Sequence, residues 1–379
     1  MLTDFYHEMA SGDRMSELLN IYTMNGISLN NRVVMAPMTR SRAYNLVPTD
    51  SMVTYYRQRA TAGLIVSEGS PVSMEGRGQA YTPGIYTDEQ IEGWKKVTEA
   101  VHAQGGKIFI QLWHVGRSSH IAHQPDGQAP VSSVSRVAEG CTTHIPGDNC
   151  QSVRVFHSQP RALATDEVPR VTQDFVRAAK NAIEAGFDGV EIHAANGYIF
   201  EQFINGGLND RTDRYGGNIA NRLRFTLETV DAVSAAIGSH LTGIRIAPFG
   251  RLQDMHGFDD EQDTWLSLGI ELRRRHLAYV HLSDQESLGA QAIPAGFLTK
   301  FRKAYEGTLI VAGSYTQERA EMALREGFAD LIAFGRPFIA NPDLVKRMKN
   351  GWPMAVSDKD TFYTGRDAGY IDYPTYHVD

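Results

Sequence analysis

Eight short apolar runs recur along the chain and constrain its fold more than any other feature. Each run is mostly apolar and rich in β-branched or aromatic residues, which is typical of parallel strands buried on both faces. The runs occupy residues 33–36, 64–66, 108–112, 190–193, 243–246, 279–282, 309–312 and 331–334. We therefore expect eight buried strands.

Amphipathic segments with helical spacing separate several of these runs, at residues 87–104, 172–186 and 316–327. The alternation of strands and helices predicts the α/β class and closes most simply into a single (β/α)8 TIM barrel. A doubly wound open sheet is the alternative, but no G-x-G-x-x-G turn follows the first run. The second helical segment has an apolar face made of Phe175, Ala178, Ala179, Ala182 and Ile183.

The sequence predicts one domain that spans residues 1–379. Residues 1–31 precede the first run, and we expect them to cap the bottom of the barrel. Residues 114–169 form a long excursion after the third run, rich in proline, serine and glycine. Loops of this length inside a compact domain are usually functional, so this segment is predicted to be a lid.

Charge and composition exclude several classes of function. The net charge of −7 argues against nucleic acid as the main partner, because phosphate backbones require a basic surface. Only Cys141 and Cys150 are present, too few for a four-cysteine metal site. We expect two free thiols in a reducing compartment, and a Cys141–Cys150 disulfide is the alternative. No apolar run reaches the roughly 18 residues of a membrane helix, and no secretory signal precedes residue 20. A cytoplasmic protein with no membrane contact is expected, and its oligomeric state is left open.

Ligands of (β/α)8 barrels bind at the carboxyl ends of the strands. The last two runs lead into Gly313-Ser314 and Gly335-Arg336, in the loops that commonly bind phosphate in this fold. Glycines let backbone N–H groups approach a phosphate, and an arginine can bind it through two nitrogens. The alternative is that these glycines only form tight turns and that Arg336 pairs with a carboxylate.

The fourth run ends in His193, and Asn196 and Tyr198 follow in a short glycine-containing turn. His193 and Asn196 can both donate hydrogen bonds to a carbonyl or phenolate oxygen, and Tyr198 can deliver a proton. The alternative for each residue in isolation is a different role: His193 as a structural residue or as a metal ligand together with Glu191, and Tyr198 as an aromatic of the core. No clear metal spacing accompanies them, so no metal is expected.

Arg245 lies inside an apolar run and needs an anion, because an unpaired buried cation is costly. Its partner is either an internal carboxylate or the anionic edge of a bound cofactor. Gln111, at the end of the third run, can hydrogen-bond the same edge through its amide.

Four stretches of this chain resemble the old yellow enzyme family of FMN-dependent ene-reductases. The resemblance runs from about residue 18 to the C-terminus, and within the family it is to the kinetoplastid members, which include a prostaglandin F synthase. The stretches are residues 31–40 (NRVVMAPMTR), 111–117 (QLWHVGR), 189–217 and 334–344 (FGRPFIANPDL). Many relatives have histidine in place of Asn196, and the loop at residues 284–294 fits relatives poorly.

The resemblance implies a role for each candidate residue. FMN is expected to contact Pro37, Met38, Thr39, Gly69, Gln111 and Arg245, with its phosphate at Gly313, Ser314, Gly335 and Arg336. The substrate is expected to contact His193, Asn196, Tyr198, Trp113 and Tyr363.

The reaction implied is reduction of the C=C bond of α,β-unsaturated carbonyl compounds, with NADPH or NADH as the hydride donor. Hydride comes from N5 of FMN and the proton from Tyr198; quinones and a prostaglandin endoperoxide are further implied substrates. A phosphate-binding lyase or aldolase and a non-catalytic flavin-binding protein are the alternatives. The first needs a Schiff-base lysine or metal carboxylates at a strand end, and neither is evident in the sequence.

Overall fold

A computed structural model describes residues 16–377 of the chain. Eight parallel strands close into one barrel, in the order in which they occur along the chain. The predicted (β/α)8 barrel is therefore confirmed, and the open sheet is excluded. The strands are β1 (Val33–Met35), β2 (Leu64–Pro71), β3 (Ile108–Trp113), β4 (Gly189–Ala194), β5 (Thr242–Ile246), β6 (Tyr279–Ser283), β7 (Leu309–Ala312) and β8 (Leu331–Phe334).

Ten α-helices lie among the described residues, most of them packed around the barrel. They are α1 (Asp50–Gln58), α2 (Asp88–His102), α3 (Val168–Glu184), α4 (Ile199–Ile204), α5 (Ile219–Ile237), α6 (Glu261–Arg273), α7 (Phe297–Ala304), α8 (Gln317–Arg325), α9 (Arg336–Ala340) and α10 (Leu344–Asn350).

The helix ends follow local side-chain chemistry. Helix α2 begins with a capping box, in which Thr87 accepts from the backbone N–H of Gln90 and the Gln90 side chain accepts in return. Helix α3 begins four residues earlier than predicted, because Pro169 is well suited to the first turn of a helix. The prediction that Ile183 belongs to the apolar face was wrong, since this side chain is 38% exposed.

A β-hairpin closes the bottom of the barrel, formed by the strands Tyr22–Met24 and Ile27–Leu29. Met24 and Leu29 are fully buried in an apolar cluster with Phe109 and Leu64 from the starts of barrel strands. This hairpin lies within residues 16–31 of the predicted cap; residues 1–15 lie outside the described part.

The excursion at residues 114–169 contains an antiparallel pair of strands, Thr142–Pro146 and Ser152–Phe156, and a short parallel pair. It is attached to helix α4, where the Ser133 hydroxyl donates to the carbonyl of Gln202 at 2.6 Å. Cys141 and Cys150 are free thiols. Among residues 16–377, no helix is long and apolar enough to cross a membrane.

Candidate active site

A cleft of about 910 Å³ opens at the carboxyl ends of the barrel strands and brings all the predicted site residues together. No residue of the excursion at 114–169 lines this cleft, so its role as a lid stays a prediction that this arrangement does not support. The predicted residues that line it are Pro37, Met38, Thr39, Gly69, Gln111, Trp113, His193, Asn196, Tyr198, Arg245, Gly313, Ser314, Gly335, Arg336 and Tyr363.

One end of the cleft lies between the loops that follow β7 and β8. Gly313 has φ +151°, and a Cβ atom there would lie 2.7 Å from Cβ of Asp284, so this position requires glycine. The Arg336 side chain is exposed and donates from Nη2 to the carbonyl oxygen of Ser287 at 2.7 Å. Arg336 is thus held by a neutral oxygen, which leaves its charge available to an anion.

Arg245 and Gln111 lie at the floor of the cleft. Within residues 16–377, the buried guanidinium of Arg245 donates from Nη2 to the Ser283 hydroxyl at 3.0 Å, while its Nε has no partner. Gln111 Nε2 donates to Glu191 Oε1 at 2.7 Å. Glu191 therefore engages Gln111 directly but forms no hydrogen bond with Arg245, so the floor presents a buried cation to the cleft.

Glu191 is fully buried behind this floor and also accepts from Nδ1 of His281 at 2.8 Å. Burial alone would raise the pKa of Glu191, but His281, Arg245 and Gln111 together lower this pKa below its ordinary value. Burial lowers the pKa of His281, which stays neutral and donates its Nδ1 proton. Glu191 thus accepts two hydrogen bonds, from Gln111 and from His281. The described residues contain no cluster of three or more His, Cys, Asp or Glu that could hold a metal.

The turn after β4 presents His193, Asn196 and Tyr198 beside Trp113. The Tyr198 ring lies edge-on to both neighbours, with its centroid 5.0 Å from His193 and 5.2 Å from Trp113. The backbone N–H of Ala195 donates to Nδ1 of His193 at 3.3 Å. Since Nδ1 accepts, the neutral ring carries its proton on Nε2 and can donate from there.

Burial lowers the pKa of His193 and the charge of Arg245 lowers it further, so the imidazole is neutral at physiological pH. Burial raises the pKa of Tyr198 well above that of an ordinary tyrosine, so its hydroxyl stays protonated. The turn therefore offers a neutral N–H donor and a retained phenolic proton within one small volume.

Several residues of the cleft were not predicted from the sequence. His114, which follows β3, does not line the cleft; it is fully buried, and its Nδ1 accepts from the N–H of Gly116. The loop after β6 contributes Ser287 and Leu288 to the wall. A further part of the missed wall comes from well beyond the last barrel strand and carries no recognisable motif: Met354, Ala355, Val356, Ser357, Lys359 and Phe362.

The C-terminal segment that carries Tyr363 is held by two arginines from the loop after β1. Arg40 donates to the carbonyl of Gly369, and Arg42 donates to the carbonyls of Thr361 and Phe362. Arg40 follows the predicted motif at residues 37–39, so a sequence signal existed for it. The groups that accept its hydrogen bonds are backbone carbonyls, which leave no signal in the sequence.

Comparison with known proteins places the chain in a family. The model of the NADH:flavin oxidoreductase / NADH oxidase family matches residues 20–355, which is most of the chain. The chain belongs to this family. It is an FMN-dependent oxidoreductase of old yellow enzyme type, with a nicotinamide dinucleotide as hydride donor, and these expectations are confirmed.

Individual relatives and solved structures agree with this assignment. A 12-oxophytodienoate reductase 1 from Oryza sativa subsp. japonica is 45% identical over 364 residues, covering 94% of this chain and 92% of the relative. The structure of morphinone reductase superposes with a TM-score of 0.93 at 46% identity, covering 97% of this chain and 98% of that one. An old yellow enzyme homologue from Zymomonas mobilis gives a TM-score of 0.90 at 37% identity, with 95% and 100% covered. The likeness to kinetoplastid members stays a prediction.

The residues around the cleft fit FMN. The Nε of buried Arg245, which has no partner among residues 16–377, and the amide of Gln111 suit the polar edge of a flavin, which carries hydrogen-bond acceptors and gains negative charge on reduction. At the other end, Gly313 and the exposed guanidinium of Arg336 suit a phosphate group. A cation at each end matches the two regions of such a ligand that carry or gain negative charge.

Proposed function

We propose that this protein reduces the C=C bond of α,β-unsaturated carbonyl compounds, with NADPH or NADH as the hydride donor. The observation that carries the proposal is the Nε2–H donor of His193 and the protonated hydroxyl of Tyr198, side by side on the wall of the flavin-sized cleft. The relatives named for reduction of 12-oxophytodienoate and morphinone support it.

The substrate's carbonyl oxygen is proposed to lie between His193 and Asn196. Hydrogen bonds from these side chains stabilise the negative charge that develops on oxygen as the C=C bond is reduced. The neutral state of His193 suits this role, because a neutral donor leaves the proton of the reaction to another residue.

Tyr198 is proposed to deliver that proton to the carbon next to the carbonyl group. Burial favours the protonated phenol at neutral pH, so the proton is present when the substrate binds. Trp113 packs edge-on against the ring of Tyr198 and supports its position in the wall of the cleft.

When bound, FMN supplies the hydride chemistry. The chain's part is to hold it: Pro37, Met38, Thr39 and Gly69 line the cleft between its two cationic ends. Quinones are proposed as further substrates, because their oxygens accept the same two hydrogen bonds. Reduction of a prostaglandin endoperoxide stays a prediction.

Three measurements on the purified protein test this proposal. We expect a flavin absorption spectrum, loss of that absorbance when NADPH or NADH is added without oxygen, and its return when 2-cyclohexenone is added. A colourless protein would support the lyase or aldolase alternative, although the lysine lining the cleft, Lys359, is exposed and lies beyond the strand ends. A flavin that NADPH and NADH leave oxidised would support a flavin-binding protein without enzymatic activity.

A further inference from the structure

Gln285 connects the turn after β4 to the loops after β5 and β6. It lies two residues after the end of β6, at the start of a 3-10 helix (Gln285–Leu288), and the residue is 2% exposed. Its amide contacts two other loops, one through each end. No motif in the sequence points to this residue, which lies in the loop at residues 284–294 that was expected to fit relatives poorly.

The orientation of the Gln285 amide is determined by backbone groups. Its Oε1 accepts from the N–H of Arg251 at 2.8 Å and from the N–H of Leu252 at 3.3 Å. Since backbone N–H groups only donate, the atom facing them must be the amide oxygen. The Nε2 group of Gln285 must then point the other way.

Nε2 of Gln285 donates to Oδ1 of Asn196 at 3.1 Å. The Nε2 group only donates, so the Asn196 atom that faces it must be the oxygen. This leaves Nδ2 of Asn196, with its two hydrogens, on the side of the amide away from Gln285, and Asn196 lines the cleft.

We infer that Gln285 is a positioning residue that fixes the Asn196 amide so that Nδ2, and not Oδ1, faces the substrate oxygen. The inference rests on the proposed function, in which Asn196 and His193 donate to the same oxygen. Without Gln285, the Asn196 amide is free to rotate by 180° and present an acceptor that repels a carbonyl or phenolate oxygen.

The local backbone is built around this contact. Asn196 has φ +59°, a left-handed conformation that asparagine tolerates better than most residues. A Cβ atom on Gly250 would lie 2.8 Å from Nε2 of Gln285, so glycine at this position leaves room for the amide. The contact between Gln285 and Asn196 is therefore accommodated by both neighbouring loops.

The substitution Gln285→Glu tests the inference most cleanly. A carboxylate still accepts from the N–H groups of Arg251 and Leu252, and these donors favour its ionised form. It has no hydrogen to donate to Oδ1, so Asn196 is expected to turn and donate to it instead. The change thus keeps the acceptor that supports the loop, reverses the direction of one hydrogen bond and adds a negative charge, and the N196A background separates these last two effects.

The experiment is a double-mutant cycle on FMN-loaded wild type, Q285E, N196A and Q285E/N196A. The dissociation constant of 4-hydroxybenzaldehyde, bound as the phenolate, is measured from the change in flavin absorbance. Loss of a hydrogen bond to a charged group corresponds to a weakening of about 10- to 100-fold. When Asn196 is present, we expect Q285E to raise the dissociation constant by a factor in this range. In the N196A background, the factor by which Q285E raises it should be at least ten times smaller.

An equal weakening in both backgrounds would overturn the inference, because it would assign the effect to the added negative charge or to loop damage. A second measurement needs no change at Gln285. In wild-type protein labelled with 15N-asparagine, the Nδ2 resonance that is missing from the N196A spectrum should shift when the phenolate binds. A resonance that stays in place would also overturn it. A wild type that reduces no enone counts instead against the proposed function.

Discussion

Glu191 accepts a hydrogen bond from Nε2 of Gln111 at 2.7 Å, and this contact puts an ionised carboxylate directly behind the floor of the cleft. The two residues are register neighbours on adjacent parallel strands. Interiors of this type of barrel are usually filled with branched apolar side chains. A buried charge in this position therefore affects the electrostatics of whatever binds above it.

The charge of Glu191 is predicted to lower the reduction potential of bound FMN. Glu191 partly offsets the positive charge of Arg245. Without this offset the reduced flavin, which carries more negative charge than the oxidised flavin, is stabilised relative to it. Glu191→Gln should raise the midpoint potential by about 30 mV for each 1.4 kcal/mol of electrostatic change. Gln preserves the shape: its oxygen can accept from Gln111, and its amide nitrogen can donate to Nδ1 of His281 once that neutral ring carries its proton on Nε2. The potential is measured by equilibration with a reference dye.

Glu191→Asp is the matched control, since it retains the charge while moving the carboxylate. The midpoint potential of E191D should differ less from the wild-type value than the midpoint potential of E191Q does. Equal shifts in both variants would mean that only the geometry of Gln111 matters.

Removal of the Arg245 charge is predicted to affect FMN more than folding. Within residues 16–377 the guanidinium hydrogen-bonds only to the Ser283 hydroxyl, and Arg245→Met removes the cost of burying this cation but also part of the stabilisation of the Glu191 carboxylate, so the melting temperature of the apoprotein should change little. The same variant should bind FMN about 10- to 100-fold more weakly, because it loses hydrogen bonds from a charged donor. Flavin fluorescence titration and thermal melts of the apoprotein measure the two effects.

Arg245→Lys is expected to give an intermediate FMN affinity, since it keeps the charge but not the planar set of donors. A large fall in the apoprotein's melting temperature for R245M would show that Arg245 has an internal structural role.

The barrel was predictable because strands buried on both faces leave a continuous apolar signal. Strand β2 extends five residues beyond its predicted end. The apolar run in the sequence stops at Ser67 and Glu68, but the fold buries these polar side chains within the strand. Residues at strand ends were also predictable, since the fold itself brings those ends together. Gln285 was not, because its partners depend on the conformations of three loops.

Tyr198 is predicted to act in the step that protonates the enone carbon. Tyr198→Phe should lower the rate of enone reduction by about 10²- to 10⁴-fold, the usual contribution of a general acid. Reduction of the flavin by NADPH or NADH needs no such proton, so its rate should change little. Stopped-flow absorbance with 2-cyclohexenone and with the nicotinamide donor measures the two half-reactions separately.

Tyr305→Phe is a matched control. Burial raises the pKa of Tyr305 as it raises that of Tyr198, but Tyr305 lies near the bottom of the barrel beside Tyr22. It should leave both half-reactions unchanged. A Y198F variant that loses both to the same extent would count against a role in proton delivery.

Glu68 is predicted to make the folded protein less stable as the pH rises from acidic to neutral. Burial raises the pKa of its carboxyl from 4.5 to about 7, and the hydroxyl of Tyr56, which donates to it at 3.3 Å, only partly opposes this. Between these two values the folded state binds more protons than the unfolded state, so the free energy of unfolding falls as pH rises through this window. The total loss is about 3 kcal/mol, complete above pH 7.

Glu68→Gln removes this titration while keeping the shape of the protonated acid. Urea unfolding at pH 5 and pH 8 should show that E68Q gains on the wild type by about 2–3 kcal/mol at the higher pH. Glu184→Gln, which removes the same charge from an exposed position on helix α3, is the control and should follow the wild type at both pH values. If E68Q also follows the wild type, Glu68 must be ionised in the folded protein already at pH 5, with Arg40 and Arg42 compensating its burial.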